Sequence, residues 1–148
     1  MIPFLAVFFP IFIILMIMAT DYGVVLLAKL ELQNAADAAA VSTLHVLTKD
    51  RTLADDGAIE TITNNLLFGK SIDFTKADAM TDVEYGVWDA ENLEFQVIER
   101  DGGEPPQGAS AVRITLVRSE ERNNRIHLFF APVFGKDFAS LRVQAIAS

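Results

Sequence analysis

Few residues of this chain have the types and spacing that catalysis requires. The sequence contains two histidines and no cysteine, which excludes thiolate nucleophiles and cysteine-ligated metals. His45 lies in a helical segment among apolar neighbours, and His127 lies at the start of a strand or loop, so neither has a catalytic partner at motif spacing. We therefore predict that the chain is not an enzyme and needs no cofactor.

The acidic residues do not form a metal motif. Asp55 and Asp56, and likewise Glu120 and Glu121, are adjacent pairs in polar segments, whereas a calcium loop places its ligands at alternate positions. No phosphate-binding glycine loop, zinc motif or nucleophile elbow is found in the sequence. The net charge of −8 repels phosphate backbones. We predict no metal site and no nucleic-acid partner.

Asp21 is the residue whose chemistry is most informative, because it is the first charge after a long apolar run. Its helical neighbours at spacing four, Ile17 and Val25, cannot pair with it. It is either an interfacial acid at the end of a membrane span, or half of an intersubunit ion pair. In the second case its partner would be Lys29 or the Met1 amine of another copy, since an unpaired carboxylate in a dry core is costly.

A second polar pair lies within an alanine-rich segment. Asn34 and Asp37 are three residues apart and therefore on one helix face, where they either set the register of packed helices or simply face solvent. The alanines around them would let helices approach closely. The predicted assembly surface consists of Asp21, Lys29, Asn34, Asp37, Ala35, Ala36, Ala39 and Pro10.

One long helix must position these residues. The run from Met1 to Ala19 has no charge and is long enough to cross a hydrocarbon core of about 30 Å. A signal peptide begins with basic residues, but no basic residue precedes Lys29. One explanation is that a basic leader has been removed. A helix from about Pro3 to Leu47 would be about 68 Å long, so its second half must stand outside the membrane. Pro10 is expected to bend it.

The rest of the chain predicts a small α+β head. Ile59–Phe68 has helical spacing of its apolar residues and is followed by Gly69. After a polar loop through Asp82, alternating patterns predict strands at Val83–Trp88, Leu93–Glu99, Ala111–Arg118 and Leu141–Ala147, with a hairpin turn at Asp89–Asn92. The predicted domains are the helix, residues 1–48, and a head, residues 49–148, with a second helix and a roughly four-stranded antiparallel sheet.

The aromatic-rich segment LFFAPVFGKDF, Leu128–Phe138, has two interpretations. It is either part of the head core or an apolar patch for a neighbouring molecule. We favour the core, with Pro132 and Gly135 shaping a turn. Tyr85 and Trp88 are expected to be packing residues of their strand.

Several motifs together resemble one family. The segment DYGVVLLAKLELQNAADAAAVSTL, and within it the block LQNAADAAA at Leu32–Ala40, resembles the N-terminal signature of TadE/TadG-like proteins of tight-adherence (Flp) pilus systems. That family is part of the type IV pilin and pseudopilin class. The later segments VEYGVWD, AVRITLVRS, LFFAPVFG and VQAIAS resemble the family in order and spacing. The resemblance implies a pilin-like fold.

The resemblance also implies a function. The chain would be a structural subunit of a pilus-like extracellular filament, a self-assembling homopolymer used in cell adhesion. It would wait in the bacterial inner membrane and then reach the cell surface with the help of a prepilin peptidase, a platform protein and a motor. Packing of its N-terminal hydrophobic helix would hold the filament together.

Two departures from the family pattern keep alternatives open. Filament pilins usually carry a glutamate at the fifth mature position, where this chain has Leu5, and the chain lacks the von Willebrand factor A domain of larger TadG-like proteins. A second interpretation is a membrane-anchored accessory pseudopilin that primes or scaffolds the assembly machine. A third is a single-span protein whose head binds an unrelated extracellular ligand.

Overall fold

The computed structural model describes residues 2–130, 132, 135 and 138–148, with the backbone alone for residues 2–5. The elements in chain order are α1 (Ile2–Lys49), a 3₁₀ turn (Arg51–Leu53), α2 (Ala54–Asn64), β1 (Leu66–Leu67), β2 (Lys70–Ser71), α3 (Lys76–Asp82), β3 (Val83–Asp89), β4 (Glu94–Val97), β5 (Ala111–Arg118), β6 (Ile126–His127), β7 (Phe138–Ala139) and β8 (Leu141–Ala147). A long apolar N-terminal helix is thus combined with short helices and a four-stranded antiparallel sheet. The predicted α+β class is confirmed.

The long helix α1 contains 48 residues and is about 70 Å long. It continues through Pro10, and the bend expected there stays a prediction. Immediately after the helix, the Asp50 carboxylate accepts hydrogen bonds from the Thr52 hydroxyl (2.7 Å) and the Thr52 amide (3.0 Å), which caps the 3₁₀ turn. These two bonds hold the pKa of Asp50 below its ordinary value.

The chain forms two compact units. Unit 1 contains Met1–Lys29 and Val117–Leu141, and unit 2 contains Leu30–Leu116 and Arg142–Ser148. The predicted division into residues 1–48 and 49–148 stays a prediction.

Unit 2 is organised by the sheet, whose strand order is β4-β3-β5-β8. The strand β3 pairs antiparallel with β5, with Val83 opposite Ile114, and antiparallel with β4, with Gly86 opposite Val97. Val83 and Ile114 lie opposite each other and therefore on the same face of the sheet, and both are buried.

The second half of α1 contributes one face to the core of unit 2. Its buried residues recur every three or four positions, which is the period of one helix face: Leu32, Ala35, Ala36, Ala39, Ala40, Thr43 and Leu47. Next to this face, the Thr61 hydroxyl of α2 donates to the Ser42 hydroxyl (2.9 Å). The side-chain amide of Gln33 donates to the backbone carbonyl of Gln144 in β8 (3.1 Å). The alanines allow close packing because their side chains add little bulk.

A buried ion pair connects several elements of unit 2. The Arg100 guanidinium donates to both carboxylate oxygens of Asp55 in α2 (2.7 and 2.9 Å) and to the carbonyls of Ala79 and Val83 (3.0 Å each). It also lies over the Tyr85 ring, 5.0 Å from its centroid, while the Tyr85 hydroxyl donates to Asp55 (2.8 Å). One side chain therefore links α2, α3 and β3.

This environment shifts two pKa values. Burial and the hydrogen bond to Asp55 raise the pKa of the Tyr85 hydroxyl well above its ordinary value. Burial by itself would lower the pKa of Arg100, but its hydrogen bonds to Asp55 and the charge of that carboxylate outweigh this effect, so the pKa of Arg100 is raised.

The predicted helix Ile59–Phe68 is misplaced, since α2 covers Ala54–Asn64. Asn65 has an extended backbone, and Leu66 and Leu67 pair with Ser71 and Lys70 across a tight turn. Gly69 belongs to that turn and does not end the helix. The turn residues Phe68 and Gly69 both have positive φ (52° and 74°), as a type I′ hairpin requires.

The short helix α3 lies where the sequence predicted a polar loop. The Asp78 amide donates to the Thr75 hydroxyl, and the Asp78 carboxylate accepts from the Thr75 amide (2.8 Å), which is a capping box. This T-x-x-D pattern is visible in the sequence and was the signal for a helix start.

The strands of the sheet agree well with the sequence prediction. Both β5 and β8 have the predicted bounds, whereas β4 is shorter, at Glu94–Val97. In the turn before β4, the Asp89 carboxylate accepts from the Asn92 side-chain amide (2.8 Å) and from the backbone amides of Asn92 (3.1 Å) and Glu91 (2.9 Å). These bonds hold the pKa of Asp89 below its ordinary value.

In unit 1, two polar side chains order the segment that follows β5. The Asn124 side chain accepts from the Ser119 amide (2.8 Å) and donates to the Val117 carbonyl (3.1 Å). The Arg125 guanidinium pairs with Glu120 (2.8 Å) and lies 5.0 Å from the centroid of the Phe138 ring. The short strands β6 and β7 pair antiparallel, with Ile126 opposite Ala139.

Candidate functional site

The largest exposed apolar surface of unit 1 is the first half of α1. Side chains around the whole circumference of this segment are exposed, for example Val7 at 63%. They are Val7, Phe8, Phe9, Ile11, Phe12, Ile13, Ile14, Leu15, Met16 and Met18. Among the described residues, α1 is the one helix with the length and apolar composition to cross a membrane. A helix that is apolar all round requires cover from lipid or from other protein.

Asp21 is the first charged residue of α1, and it is buried, with 8% of its surface exposed. Its carboxylate accepts hydrogen bonds from two consecutive backbone amides, those of Phe129 (2.9 Å) and Phe130 (3.2 Å). Both amides belong to unit 1. A carboxylate held by backbone amides is satisfied within its own chain.

The sequence did not predict this contact, because the residues are more than 100 positions apart. Neither interpretation of Asp21 included a partner in its own chain, and the intersubunit pair stays a prediction. Lys29, its predicted partner in another copy, is exposed. The cluster of phenylalanines is visible in the sequence and marks the segment as unusual. Its pattern, however, does not indicate a contact with Asp21.

The aromatic segment is not the core element that we favoured. Phe129 is 74% exposed and Phe130 is 40% exposed, while Phe138 is half-buried. Phe134 lies outside the described residues. The prediction of core packing is therefore wrong for Phe129 and Phe130, because the bonds to Asp21 fix their backbone and leave their rings uncovered. Tyr85, by contrast, is a fully buried strand residue, as expected.

The predicted assembly residues of the second half of α1 separate into two faces. Ala35, Ala36 and Ala39 are fully buried in unit 2, whereas Asn34 and Asp37 are exposed. The Asp37 carboxylate accepts a hydrogen bond from the side-chain amide of Gln33 (2.9 Å), one helical turn away. The structure thus covers the alanines within the chain itself and leaves the polar pair at the surface. Pro10 is exposed in the apolar half of the helix.

The exposed face of this second half also carries large apolar side chains. Leu30 is 55% exposed and Val41 is 65% exposed, and both lie on the side of α1 opposite the buried alanines, together with Asn34 and Asp37. The sequence analysis missed this face because it assigned helix contacts to the smallest residues. The signal for this face in the sequence was the pair of large apolar residues Leu30 and Val41, which lie on a different side of the helix from the alanines.

Among the described residues, neither histidine belongs to a potential metal site. His45 and His127 are both exposed, and no group of three or more His, Asp or Glu side chains lies close enough to hold a metal ion within residues that the structure describes. Ion pairs of unit 2 connect different elements, such as Arg113 of β5 with Glu84 of β3 (2.7 Å). Their contacts are those of structural residues.

Comparisons with protein families match nearly the whole chain. A family model described as Tad-like Flp pilus-assembly matches residues 28–147, and a model described as Flp pilus-assembly TadE/G-like matches residues 1–43. No curated protein and no solved structure gives a match.

Proposed function

Since the chain belongs to the Tad-like Flp pilus-assembly family, we propose that it is a structural subunit of a pilus-like extracellular filament. Copies would assemble by packing their N-terminal helices α1 together. The observation that supports this proposal is the exposed apolar surface around the first half of α1, which no described part of the chain covers. Lipid would cover it before assembly, and neighbouring copies would cover it afterwards.

Hydrophobicity by itself cannot drive the transfer from lipid to filament. Lipid tails are as apolar as the leucine and phenylalanine side chains of α1, so exchanging one for the other changes little apolar area in water. Close van der Waals packing and matched polar groups must therefore supply specificity. Three of the exposed polar residues of α1 are the candidates for this matching: Lys29, Asn34 and Asp37.

The proposed contact face in the second half of α1 differs from the alanine face of the sequence prediction. Ala35, Ala36 and Ala39 already pack inside unit 2. Residues that remain available to another copy include Leu30, Asn34, Asp37 and Val41. We infer that subunits meet through these four residues outside the membrane.

Resemblance to the family supports a proposal for location and partners. The chain would be held in the bacterial inner membrane by α1 before it enters the filament at the cell surface. Its partners would be other copies of itself, a prepilin peptidase and the platform and motor proteins of the pilus machine. Cell adhesion would be the role of the finished filament.

The alternative function is that of a membrane-anchored accessory pseudopilin. The family match supports it equally, because that match does not separate a bulk filament subunit from an accessory protein. Such a protein would prime or scaffold assembly in few copies and would remain in the membrane.

Electron microscopy of material sheared from cells separates the two proposals, when it is combined with mass spectrometry of the intact subunit. A structural subunit should be the main protein of uniform filaments in the sheared fraction. Cells that lack the gene provide the control. Filaments that form from another protein, with this chain retained in membranes, would overturn the structural role and support the accessory one.

The predicted intersubunit pair of Asp21 and Lys29 needs a variant that leaves the bonds of Asp21 to Phe129 and Phe130 unchanged. Lys29→Met meets this requirement, since Lys29 is exposed. If the pair forms, both Asp21→Asn and Lys29→Met lower filament yield. Normal yield from Lys29→Met would remove the pair from the proposal, even if Asp21→Asn were defective.

A further inference from the structure

We propose that Phe129 and Phe130 insert into the phospholipid interface at the membrane surface where the apolar part of α1 ends. This second membrane contact concerns the subunit before assembly. It rests on the membrane stage of the proposed function and does not depend on whether the chain later forms filaments.

The position of this contact along the membrane normal follows from Asp21. It is the first charged residue after the apolar run, and a carboxylate within the hydrocarbon core is costly. The span therefore ends at about the level of Asp21. Phe129 and Phe130 are bonded to this carboxylate, so their depth in the membrane follows that of Asp21.

Two hydrogen bonds hold the aromatic segment at this level. The amide nitrogens of Phe129 and Phe130 lie 2.9 and 3.2 Å from Asp21 Oδ1. Because these are backbone donors, the main chain of the segment is fixed against α1 whatever its side chains contact. The two phenyl rings are thereby held within a side-chain length of the end of the span.

Both rings need a covering surface. Phe129 and Phe130 are exposed, and Tyr22, the neighbour of Asp21 in sequence, is exposed too. Tyr is one of the residue types enriched at membrane interfaces, and Phe is among the side chains that interfacial segments bury at the boundary between headgroups and acyl chains. The bilayer is the apolar surface that every copy meets at this level. With a net charge of −8, the chain would make this contact through apolar burial and would not need anionic lipid.

Spin labelling tests this contact directly. The sequence has no cysteine, so Phe129→Cys gives one labelling site in the full-length chain and keeps the backbone amide that binds Asp21. The labelled protein is placed as one copy per phosphatidylcholine nanodisc. Collision rates of the nitroxide with oxygen, which concentrates in lipid, and with a nickel chelate, which stays in water, report its surroundings.

Two further labels calibrate the result. Ile13→Cys lies in the apolar half of α1 and should report lipid. Glu121→Cys is an exposed, charged position of unit 1 and should report water. We expect position 129 to collide more with oxygen than with the chelate, as position 13 does, and position 121 to show the reverse.

Other outcomes overturn the proposal. Dominant collisions with the nickel chelate at position 129 would mean that the segment faces water. Low accessibility to both reagents would mean that protein covers it. If position 13 reports lipid in either case, the membrane stage of the proposed function still stands. If position 13 also reports water, that stage fails together with this inference.

The role of Asp21 is tested in the same labelled chain. Adding Asp21→Ala removes the acceptor of both amides, so the nitroxide at position 129 should become more mobile and its oxygen collision rate should fall. An unchanged spectrum would contradict the step that fixes the segment to α1.

Discussion

Arg100 is a residue whose contribution depends on burial more than on the number of its bonds. Arg113 makes the same kinds of side-chain contact, since it pairs with Glu84 through two nitrogens (2.7 and 2.8 Å) and lies 4.6 Å from the centroid of the Phe95 ring. Two differences separate the residues: Arg100 also donates to backbone carbonyls, and Asp55 is almost covered by protein, whereas the Glu84 side chain is one-third exposed. Solvent screens the second pair more than the first.

This comparison predicts unequal effects from equal substitutions. Arg100→Met should lower the free energy of unfolding by about 3 kcal/mol, because it leaves the buried Asp55 carboxylate without its cation. Arg113→Met should lower it by less than about 1 kcal/mol. Urea unfolding in detergent, followed by the fluorescence of the single tryptophan, Trp88, measures both. Similar losses would show that burial is not the deciding factor.

Tyr85 predicts a loss of stability at alkaline pH. Its pKa is raised in the folded chain, so above a pH of about 10 the unfolded chain loses this proton while the folded chain keeps it. The folded state then binds more protons, and the free energy of unfolding falls by up to about 1.4 kcal/mol per pH unit. Below that pH the contribution of Tyr85 is fully present.

Tyr85→Phe is the control for this pH dependence. The variant should be less stable at neutral pH because Asp55 loses a hydrogen-bond donor. The difference between the two proteins should shrink as pH rises above about 10. A difference that stays constant between pH 8 and 11 would contradict the raised pKa.

At the scale of elements, the buried face of α1 contains one unsatisfied polar atom among the described residues. Thr43 is fully buried on the alanine face, and its hydroxyl has no hydrogen-bond partner in the described chain. The hydroxyl of the adjacent residue, Ser42, accepts from Thr61 of α2 (2.9 Å). The Thr61 hydroxyl therefore has a side-chain partner, and the Thr43 hydroxyl has none.

Replacing each threonine by valine should have opposite results. Thr43→Val keeps the shape and removes a buried unpaired hydroxyl, so it should raise the free energy of unfolding by about 1 kcal/mol. Thr61→Val removes a hydrogen bond and should lower it by a similar amount, about 1 kcal/mol. Both residues are β-branched, so helix propensity hardly changes. Destabilisation by Thr43→Val would point to a bond that the structure does not give.

Gly86 is an element-scale constraint of the sheet. A Cβ at this position would lie 2.1 Å from the carbonyl oxygen of Gln96 on the neighbouring strand β4. Since backbone atoms cannot move aside as a flexible side chain can, no larger residue fits without separating β3 from β4. The glycine in VEYGVWD thus serves strand pairing.

At the scale of the whole molecule, the exposed face of α1 is what the proposed filament would use. Leu30→Glu places a charge on this face, and Leu93→Glu places one at a more exposed apolar position of the β3–β4 turn (73% against 55%). Both sites are exposed, so neither change should unfold the chain. If copies pack through α1, Leu30→Glu should lower the amount of subunit in the sheared fraction at least about tenfold, since burying a charge costs more than about 1.4 kcal/mol.

Leu93→Glu should leave that amount unchanged, because the turn is not part of the proposed contact. Both variants must be compared at equal expression and with equal thermal stability in detergent. Equal yields from the two variants would remove the second half of α1 from the filament contact.

The sequence by itself determined the elements whose signal is local. An uncharged apolar run defines the first half of α1, alternating residues define β5 and β8 to the residue, and the turn at Asp89 follows from side chains that bond their own backbone. The motif LQNAADAAA was enough to indicate the family. These features depend on neighbours within a few positions, which a sequence displays directly.

Only the tertiary structure decided which surfaces are covered. Whether Ala36 faces its own chain or another copy, and whether Phe129 is core or surface, depends on contacts with residues distant in sequence. The bonds from Phe129 and Phe130 to Asp21 join positions whose separation no helical or strand period encodes. Burial depends on the packing of the whole molecule, so the sequence pattern of one segment does not show which residues cover that segment.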